Sequence, residues 1–388
     1  MVQRLKASLV VGTRPEAIKI APIVLAMEAA SDRFEPRLVS TGQHRAMLDR
    51  AFGDFGISPD VDLNVMRERQ SLPELTSRVM LGVSELLEAE RPDFLVVQGD
   101  TTTAFIAALA AFYQKLPVVH VEAGLPSNNP MNPFPEEMNR RLIGGVAALH
   151  AAPTPRACKS LLAEGVARDA IAVTGNTVID ALHTIVDGGK ADPTVEGLPE
   201  NHGRLVLVTL HRRESWGDEM TAVCRGLRRI AEAHSDITMV MPVHMNPNVR
   251  DVVMPILGDH DRIILTEPVP YPNLVGLIRA SHLVITDSGG IQEEAPAFGK
   301  PVLVARKTTE QPEAVEANCA KLVGTDEDLL VREANSLLTD DAAYQAMVRP
   351  FSPFGDGHAA ERTLAAITRW FAGERPALPR DEEFAGLA

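Results

Sequence analysis

The sequence predicts an α/β protein made of two Rossmann-type, doubly wound domains. Short apolar runs alternate with helical patterns, which reads as βαβ repetition around a parallel sheet. Hydrophobic residues make up 45% of the chain but aromatics only 4%, so Ala, Val, Leu and Ile must fill the interior, as in sheets buried on both faces. A length of 388 residues suits two domains of roughly 150–200 residues, each large enough for its own core.

The elements follow in order. Ala7–Val11 reads as the first strand and Gly12-Thr13-Arg14-Pro15 as a turn. A helix then runs to about Ala30, with Pro15 at a favourable first helical position. Phe94–Gln98 is a strand; Gly99-Asp100 and a helix from about Thr101 to Tyr113 come next, then a strand at Pro117–Val121. Between about Val186 and Arg204, Gly, Pro and charged residues dominate and periodicity disappears, which marks a boundary. The expected organisation is therefore a first domain over 1–185, a linker over 186–204 and a second domain over 205–357. In the second domain Leu205–Thr209, Thr238–Val243, Ile263–Thr266, Leu283–Thr286 and Val302–Ala305 read as strands separated by helices. Residues 358–388 supply a last helix, about His358–Phe371, expected to cross back to the first domain, and then a tail.

The halves echo each other. FLVVQGD, a helix and LPVVHVEAG in the first match LVITDSGG, a helix and KPVLVARKTTE in the second. This suggests two similar domains facing each other with a ligand cleft between them, ligands sitting beyond the carboxyl ends of the strands.

Bulk properties exclude several classes. A net charge of −14 argues against a nucleic-acid partner, which would call for a basic face. It leaves room for an anionic small ligand held at helix N-termini and by a few arginines. Cys158, Cys224 and Cys319 are far apart, with no CxxC or metal spacing, so a reducing cytoplasm is expected and a metal is not. The N-terminal apolar run is too short for a signal peptide, and no stretch is long enough for a membrane span.

Several segments have the residue types for chemistry. Gly12-Thr13-Arg14-Pro15-Glu16-Ala17-Ile18-Lys19 lies between strand and helix, where free backbone N–H groups favour phosphate and Arg14 and Lys19 add cationic reach. A capped turn with two solvated charges is the plainer alternative. Asp100 follows a strand and opens a helix, either as a cap or as a catalytic carboxylate. Glu122 closes an apolar strand at the ligand-binding edge. Glu136 and Glu137 follow the Pro- and Asn-rich loop LPSNNPMNPFP, where Glu137 could equally be a first-turn residue stabilised by the helix dipole. His211-Arg212-Arg213 follows a strand and is placed for a diphosphate, and a histidine there can also transfer protons. In Asp287-Ser288-Gly289-Gly290-Ile291-Gln292-Glu293-Glu294 the glycines allow close approach to a phosphate, and Glu294 can accept from ribose hydroxyls. Neither GTRPE nor DSGGIQ is the GxGxxG dinucleotide fingerprint, so no redox cofactor is expected.

Taken in order, GTRPEAIK, TGQHRAMLD, GDTTT, HVEAG, PFPEEMNR, TGNTVIDAL, HRRES, PVHMNPNVR, TDSGGIQEEAP and GKPVLV resemble the non-hydrolysing UDP-N-acetylglucosamine 2-epimerases, from about Leu9 to His358. The resemblance implies a GT-B-like pair of Rossmann-type domains, a homodimer, and interconversion of UDP-GlcNAc and UDP-ManNAc through elimination of UDP to a 2-acetamidoglucal and its re-addition. It makes Asp100, Glu122 and Glu136 the acid/base residues and His211 the residue assisting UDP departure and return. Arg14 and Lys19 fall near phosphate or the reacting centre; Ser288, Gly289, Gly290 and Glu294 fall on UDP-binding positions. An activating UDP-GlcNAc site would correspond to Gln43, Arg69, Arg212 and His244. The sequence departs from the pattern at two loops. The usual Ala-Gly-Leu-Arg-Thr ends here in Pro126-Ser127, and the usual Arg-Asp-Thr-Thr-Glu-Arg-Pro-Glu reads Arg306-Lys307-Thr308-Thr309-Glu310-Gln311-Pro312-Glu313. Each change removes a planar, permanently charged donor, retuning either the activating site or the sugar pocket or weakening affinity. The competing readings are a hydrolysing 2-epimerase that releases UDP and ManNAc, a 2-epimerase of a modified UDP-HexNAc in polysaccharide or antibiotic biosynthesis, a glycosyltransferase and a non-catalytic UDP-sugar binder.

Overall fold

The computed structural model describes residues 4–42, 45–65, 67, 70–349 and 351–386. Packing groups the chain into two compact units, Met1–Thr184 with Phe354–Gly386, and Ile185–Pro353.

The first unit holds β1 (Leu5–Val11), α1 (Arg14–Ala29), β2 (Phe34–Ser40), α2 (Arg45–Phe55), β3 (Val61–Asp62), α3 (Leu72–Glu90), β4 (Phe94–Gln98), α4 (Thr102–Tyr113), β5 (Val118–Val121), α5 (Glu136–Val146), β6 (Leu149–Ala152), α6 (Pro155–Ala163), β7 (Ile171–Val173) and α7 (Thr177–Asp187). Its seven strands form one sheet in the order β3-β2-β1-β4-β5-β6-β7, every pairing parallel. Strand order reverses between β1 and β4, the doubly wound topology whose switch point opens a crevice at the strands' carboxyl ends. Gly12 and Gly99 leave the sheet on either side of that point. A Cβ on Gly12 would lie 2.4 Å from Thr103 Oγ1, so only glycine lets this turn pass α4.

The second unit repeats the plan with β8 (Arg204–Thr209), α8 (Asp218–Ala233), β9 (Ile237–Pro242), α9 (Pro247–Leu257), β10 (Ile263–Thr266), α10 (Tyr271–Ala280), β11 (Leu283–Thr286), α11 (Gly289–Ala297), β12 (Val302–Val304), α12 (Pro312–Glu316), β13 (Ala320–Leu322), α13 (Glu327–Thr339) and α14 (Asp341–Met347). Its sheet runs β10-β9-β8-β11-β12-β13, again parallel, with the switch between β8 and β11. One core of Val, Leu, Ile, Met and Ala lies between this sheet and α8, α9 and α13.

The chain returns to the first unit with α15 (Ala359–Phe371). Ala360, Leu364 and Ile367 of α15 join the core that contains Leu9, Ile20 and Val121. Its start is held by Asp180, whose carboxylate accepts the Ala359 and Ala360 N–H groups at 3.2 and 2.8 Å. Those are orphan donors of a helix N-terminus, satisfied by a buried side chain from α7. No helix among the described residues is long and apolar enough to cross a membrane.

Candidate active site

Two loop clusters concentrate chemistry, one at the carboxyl edge of each sheet. In the first unit, α1 begins at Arg14, leaving Arg14 half-buried beside the Gly12-Thr13 turn. Glu16, one turn in, is buried and accepts the N–H groups of Gly12 and Thr13 at 3.0 and 2.6 Å. Burial raises its carboxyl, opposed by these hydrogen bonds and by that of Thr101. Glu16 thus reaches back over its own helix start and, through the Thr101 hydroxyl at 2.7 Å, ties the loop after β1 to the loop after β4.

Asp100 does not cap α4. The N-cap is Thr101, whose hydroxyl accepts the Ala104 N–H at 3.0 Å. Asp100 is one residue earlier and free of the helix, because the shorter Thr side chain already serves the first-turn donor. Burial, then the charges of Glu122 and Glu136, push its carboxyl up to about 7; Lys19 opposes them. Glu122 follows the end of β5 in a left-handed conformation, φ 63°, rare for a residue with a Cβ. It pairs with Lys19, with Nζ 2.7 Å from its carboxylate, and also accepts from Gln98 Nε2. Lys19 and Glu122 side chains are only 14% and 13% exposed, so this pair is largely shielded from water.

Glu136 opens α5 and its charge reaches Asp100. Its neighbour Glu137 is an anchor. The buried Glu137 carboxylate accepts from Ser127 N–H and from the guanidiniums of Arg140 and Arg141, between 2.7 and 3.1 Å. Burial would raise this carboxyl, but those donors hold it down at about 2. Under the edge, buried His120 stays neutral, its imidazole driven down to about 3 by burial first and then by His150. Its Nε2 lies 2.7 Å from Gly99 O, so that nitrogen donates, fixing the turn that presents Asp100.

In the second unit, His211 and Arg212 leave β8 opposite the turn after β11. The fully buried Asp287 joins the two turns. Its Oδ2 accepts the N–H groups of His211 and Arg212 at 2.8 and 2.9 Å, and its Oδ1 lies 3.0 Å from His211 Nδ1. Ser288 is the N-cap of α11, with Gly289 and Gly290 as its first residues, and its side chain makes no capping hydrogen bond. A Cβ added at Gly290 would meet nothing within 4 Å, so the first turn of α11 is open there. This is a helix start suited to an anion. Glu294, a turn further on, is buried and accepts from Tyr271 Oη at 3.1 Å. His244, after β9, stacks on His211 with centroids 6.0 Å apart and planes at 25°. Arg212 is half-buried nearby, its guanidinium 3.5 Å from where a Cβ of Gly289 would be. Gln43 and Arg69 lie outside the described residues.

The two departing loops are also placed. The Ser127 N–H holds Glu137, and Gln311 Nε2 donates to buried Glu293 Oε1 at 2.7 Å. Arg306 pairs with Glu310 and Glu214, and Lys307 with Glu219. A cavity of about 410 Å³ opens at the same carboxyl edge, lined by Val243, Arg250, Met254, Leu265, Glu267 and Asn273 among others.

Within the first unit, then, the structure brings together Asp100, Glu122, Lys19 and the charge of Glu136; within the second it gathers His211, Arg212, His244 and the Ser288-Gly289-Gly290 turn. Sequence reasoning missed Glu16, Gln98, His120 and the partnership of Asp287 with His211. A signal existed for one of them: Thr13-Arg14-Pro15-Glu16 has the capping-box spacing. The others depend on pairing between segments far apart in the chain.

Known proteins resemble this chain over most of its length. A family model described as UDP-N-acetylglucosamine 2-epimerase matches residues 26–368. The UDP-N-acetylglucosamine 2-epimerase of Escherichia coli (strain K12) is 48% identical over 370 residues, covering 94% of this chain and 98% of the relative. That of Bacillus subtilis (strain 168) is 46% identical over 366 residues, covering 94% and 96%. Among solved structures, UDP-GlcNAc 2-epimerase from Neisseria meningitidis bound to UDP-GlcNAc superposes with a TM-score of 0.88 at 40% identity, covering 94% of this chain and all of that one. With a matched region that spans most of its length and relatives of this similarity, the chain belongs to the UDP-N-acetylglucosamine 2-epimerase family.

Proposed function

We propose that this enzyme inverts C2 of UDP-GlcNAc to give UDP-ManNAc without hydrolysis, by eliminating UDP to a 2-acetamidoglucal and adding it back. The proton at C2 has no carbonyl neighbour to acidify it, so departure of the diphosphate must assist its removal, and the site must offer carboxylates to one end of the reacting bond and cations or N–H donors to the other. Asp100, Glu122 and Glu136 are the proton-transfer groups in this reading, and His211 assists UDP departure and return. Arg14 and Lys19 support negative charge near the reacting centre. The Ser288-Gly289-Gly290 turn takes the diphosphate, Glu294 the ribose, and the 410 Å³ cavity has room for the flat base. Arg212 and His244 belong to an activating UDP-GlcNAc site in the same reading, together with Gln43 and Arg69. The working enzyme is a cytoplasmic homodimer that needs no redox cofactor.

The observation that carries the reading is the state of Asp100. A carboxyl pushed up to about 7 by burial and by three further carboxylates can both accept and return a proton near neutral pH. The scheme requires both acts, on opposite faces of the sugar. Proton NMR of UDP-GlcNAc with the enzyme in heavy water tests it. The expected result is deuterium at C2 in both epimers with the sugar still UDP-linked. Stoichiometric UDP and free ManNAc would replace it with a hydrolysing enzyme, and an unlabelled C2 at equilibrium would exclude the elimination route.

A further inference from the structure

We propose that Gln98 and His120 are paired positioning residues: each stands on one of two neighbouring strands and holds the turn that carries the other strand's acid. This rests on the reading above in which Asp100 and Glu122 transfer protons. Gln98 ends β4 and Asp100 lies two residues on; His120 lies in β5 and Glu122 lies two residues on. The buried His120 reaches across to the β4 turn, with Nε2 2.7 Å from Gly99 O. A carbonyl only accepts, so Nε2 carries the hydrogen, and Nδ1, which has no hydrogen-bond partner, keeps its lone pair. The buried Gln98 reaches back, its Nε2 donating to the Glu122 carboxylate. Beside the Lys19 ammonium that carboxylate offers acceptors only, so the amide turns its NH₂ towards it. Between the two side chains, Gly99 N–H donates to Val121 O at 3.0 Å. Gln98 pairs with Val121 and Val97 with His120, and paired residues share a face of the sheet. Val121 packs in the core that holds Ile20 of α1, and Val97 in the core that holds Val79 of α3 and Ala107 of α4. One grip therefore comes from each face. Glu122 depends on it, because a residue with a Cβ keeps φ 63° only where its surroundings over-determine it. Neither side chain has to touch the sugar. What they fix is the placement of two carboxyl groups whose charges act on each other.

The test uses three variants of the full chain. Gln98→Met and His120→Met keep a side chain of similar length and remove its N–H donor, whereas His120→Gln keeps a donor at similar reach. On UDP-GlcNAc, kcat should fall about 10- to 100-fold in both methionine variants, with KM and the Kd for UDP changed less than about threefold, because a misplaced group costs rate rather than ground-state binding. His120→Gln should stay within about threefold of the parent. A second measurement needs no turnover. Carboxyl ¹³C NMR, with Asp100→Asn to identify the signal, follows the titration of Asp100, which feels the charges of Glu122, Glu136, Lys19 and Glu16. Its midpoint should move by about one pH unit or more in His120→Met, and stay in place in His120→Gln. A parent-like kcat in either methionine variant, an unmoved Asp100 midpoint in His120→Met, or a His120→Gln enzyme as slow as His120→Met would overturn the proposal. So would a Kd for UDP that weakens in step with kcat, the mark of general disruption. If His120→Met does not fold, Gln98→Met and His120→Gln decide the matter by the same criteria. A parent that leaves UDP-GlcNAc unchanged would instead defeat the functional reading, and the Asp100 midpoint would still decide whether His120 holds its turn.

Discussion

Asp100 pairs low stability with chemical usefulness. Its carboxyl titrates near 7 rather than at the usual 3.8 because burial and three neighbouring carboxylates, Glu122, Glu136 and Glu16, oppose its charge. A carboxyl raised in the folded state costs stability once the pH exceeds its unfolded value, and the full cost is present above about 7. Asp100→Asn should therefore stabilise the protein by about 2–4 kcal/mol at pH 8, with no gain at pH 3, while abolishing C2 exchange. Denaturant melts at the two pH values, beside the heavy-water assay, measure both halves of this trade. A variant no more stable at pH 8 would show that burial and the surrounding charges do not raise Asp100. The left-handed Glu122 belongs to the same pattern. A residue with a Cβ holds φ 63° here because Lys19 and Gln98 grip its carboxylate, turning the side chain out of the strand direction.

At the level of elements, three helices of the first unit have their starts held by a side chain doing a backbone's work. Glu16 satisfies the start of α1, Thr101 that of α4, and Asp180 that of α15. The last of these closes a connection across some of the longest separations in the chain, since α7 and α15 bracket the whole second unit. Asp180→Ala should loosen α15, costing about 1–2 kcal/mol for the lost buried hydrogen bonds. Hydrogen exchange is expected to show faster amides at Ala359, Ala360 and the first turn of α15, with α8 and α9 unchanged. Equal protection in variant and parent would mean that the Leu364 and Ile367 contacts hold this helix on their own.

On the scale of the molecule, the titrating groups of the first unit pull in opposite directions. His120 and His150 sit at about 3 and 4 in the folded state against 6.5 when unfolded, with burial the first cause in both. Their contribution is complete above pH 6.5 and is lost as pH falls, because the unfolded chain then binds more protons. Between pH 4 and 6.5 Asp100 acts the other way, since the folded state holds the extra proton, and the buried Glu16 and Asp180 carboxyls, raised by burial, act with it. Removing the Asp100 proton should therefore make stability fall more steeply with acid, by about 1.4 kcal/mol per pH unit. Glu137, held at about 2, adds a further loss below pH 4.5. Free energies of unfolding from pH 7 to 4, for the parent and for Asp100→Asn, measure this difference in slope. Identical profiles over that range would mean that Asp100 does not hold the extra proton in the folded state.

The βαβ alternation, the strand ends at Gln98, Thr266 and Thr286 and the helix that follows Asp100 were legible in the residues themselves, because apolar runs and turn residues are local signals. Strands such as Ile171–Val173 and Ala320–Leu322 were not, being three residues long with no periodicity to read. The motifs named the loops that bear chemistry, and the resemblance they carry is confirmed at the level of family and fold. Which carboxylate was a cap, which an anchor and which was left with a raised pKa could not be read that way. Asp100, Glu136 and Glu137 are all acids beside a helix start in the sequence, and only packing separates them: Thr101 takes the cap, two arginines take Glu137, and burial acts on Asp100. The same is true of Asp287 and His211, joined across adjacent strands although 75 residues lie between their turns in the chain. The kind of residue at each loop was determined by sequence, whereas its state was decided by tertiary structure, because solvation and hydrogen-bond partners are properties of a position in space.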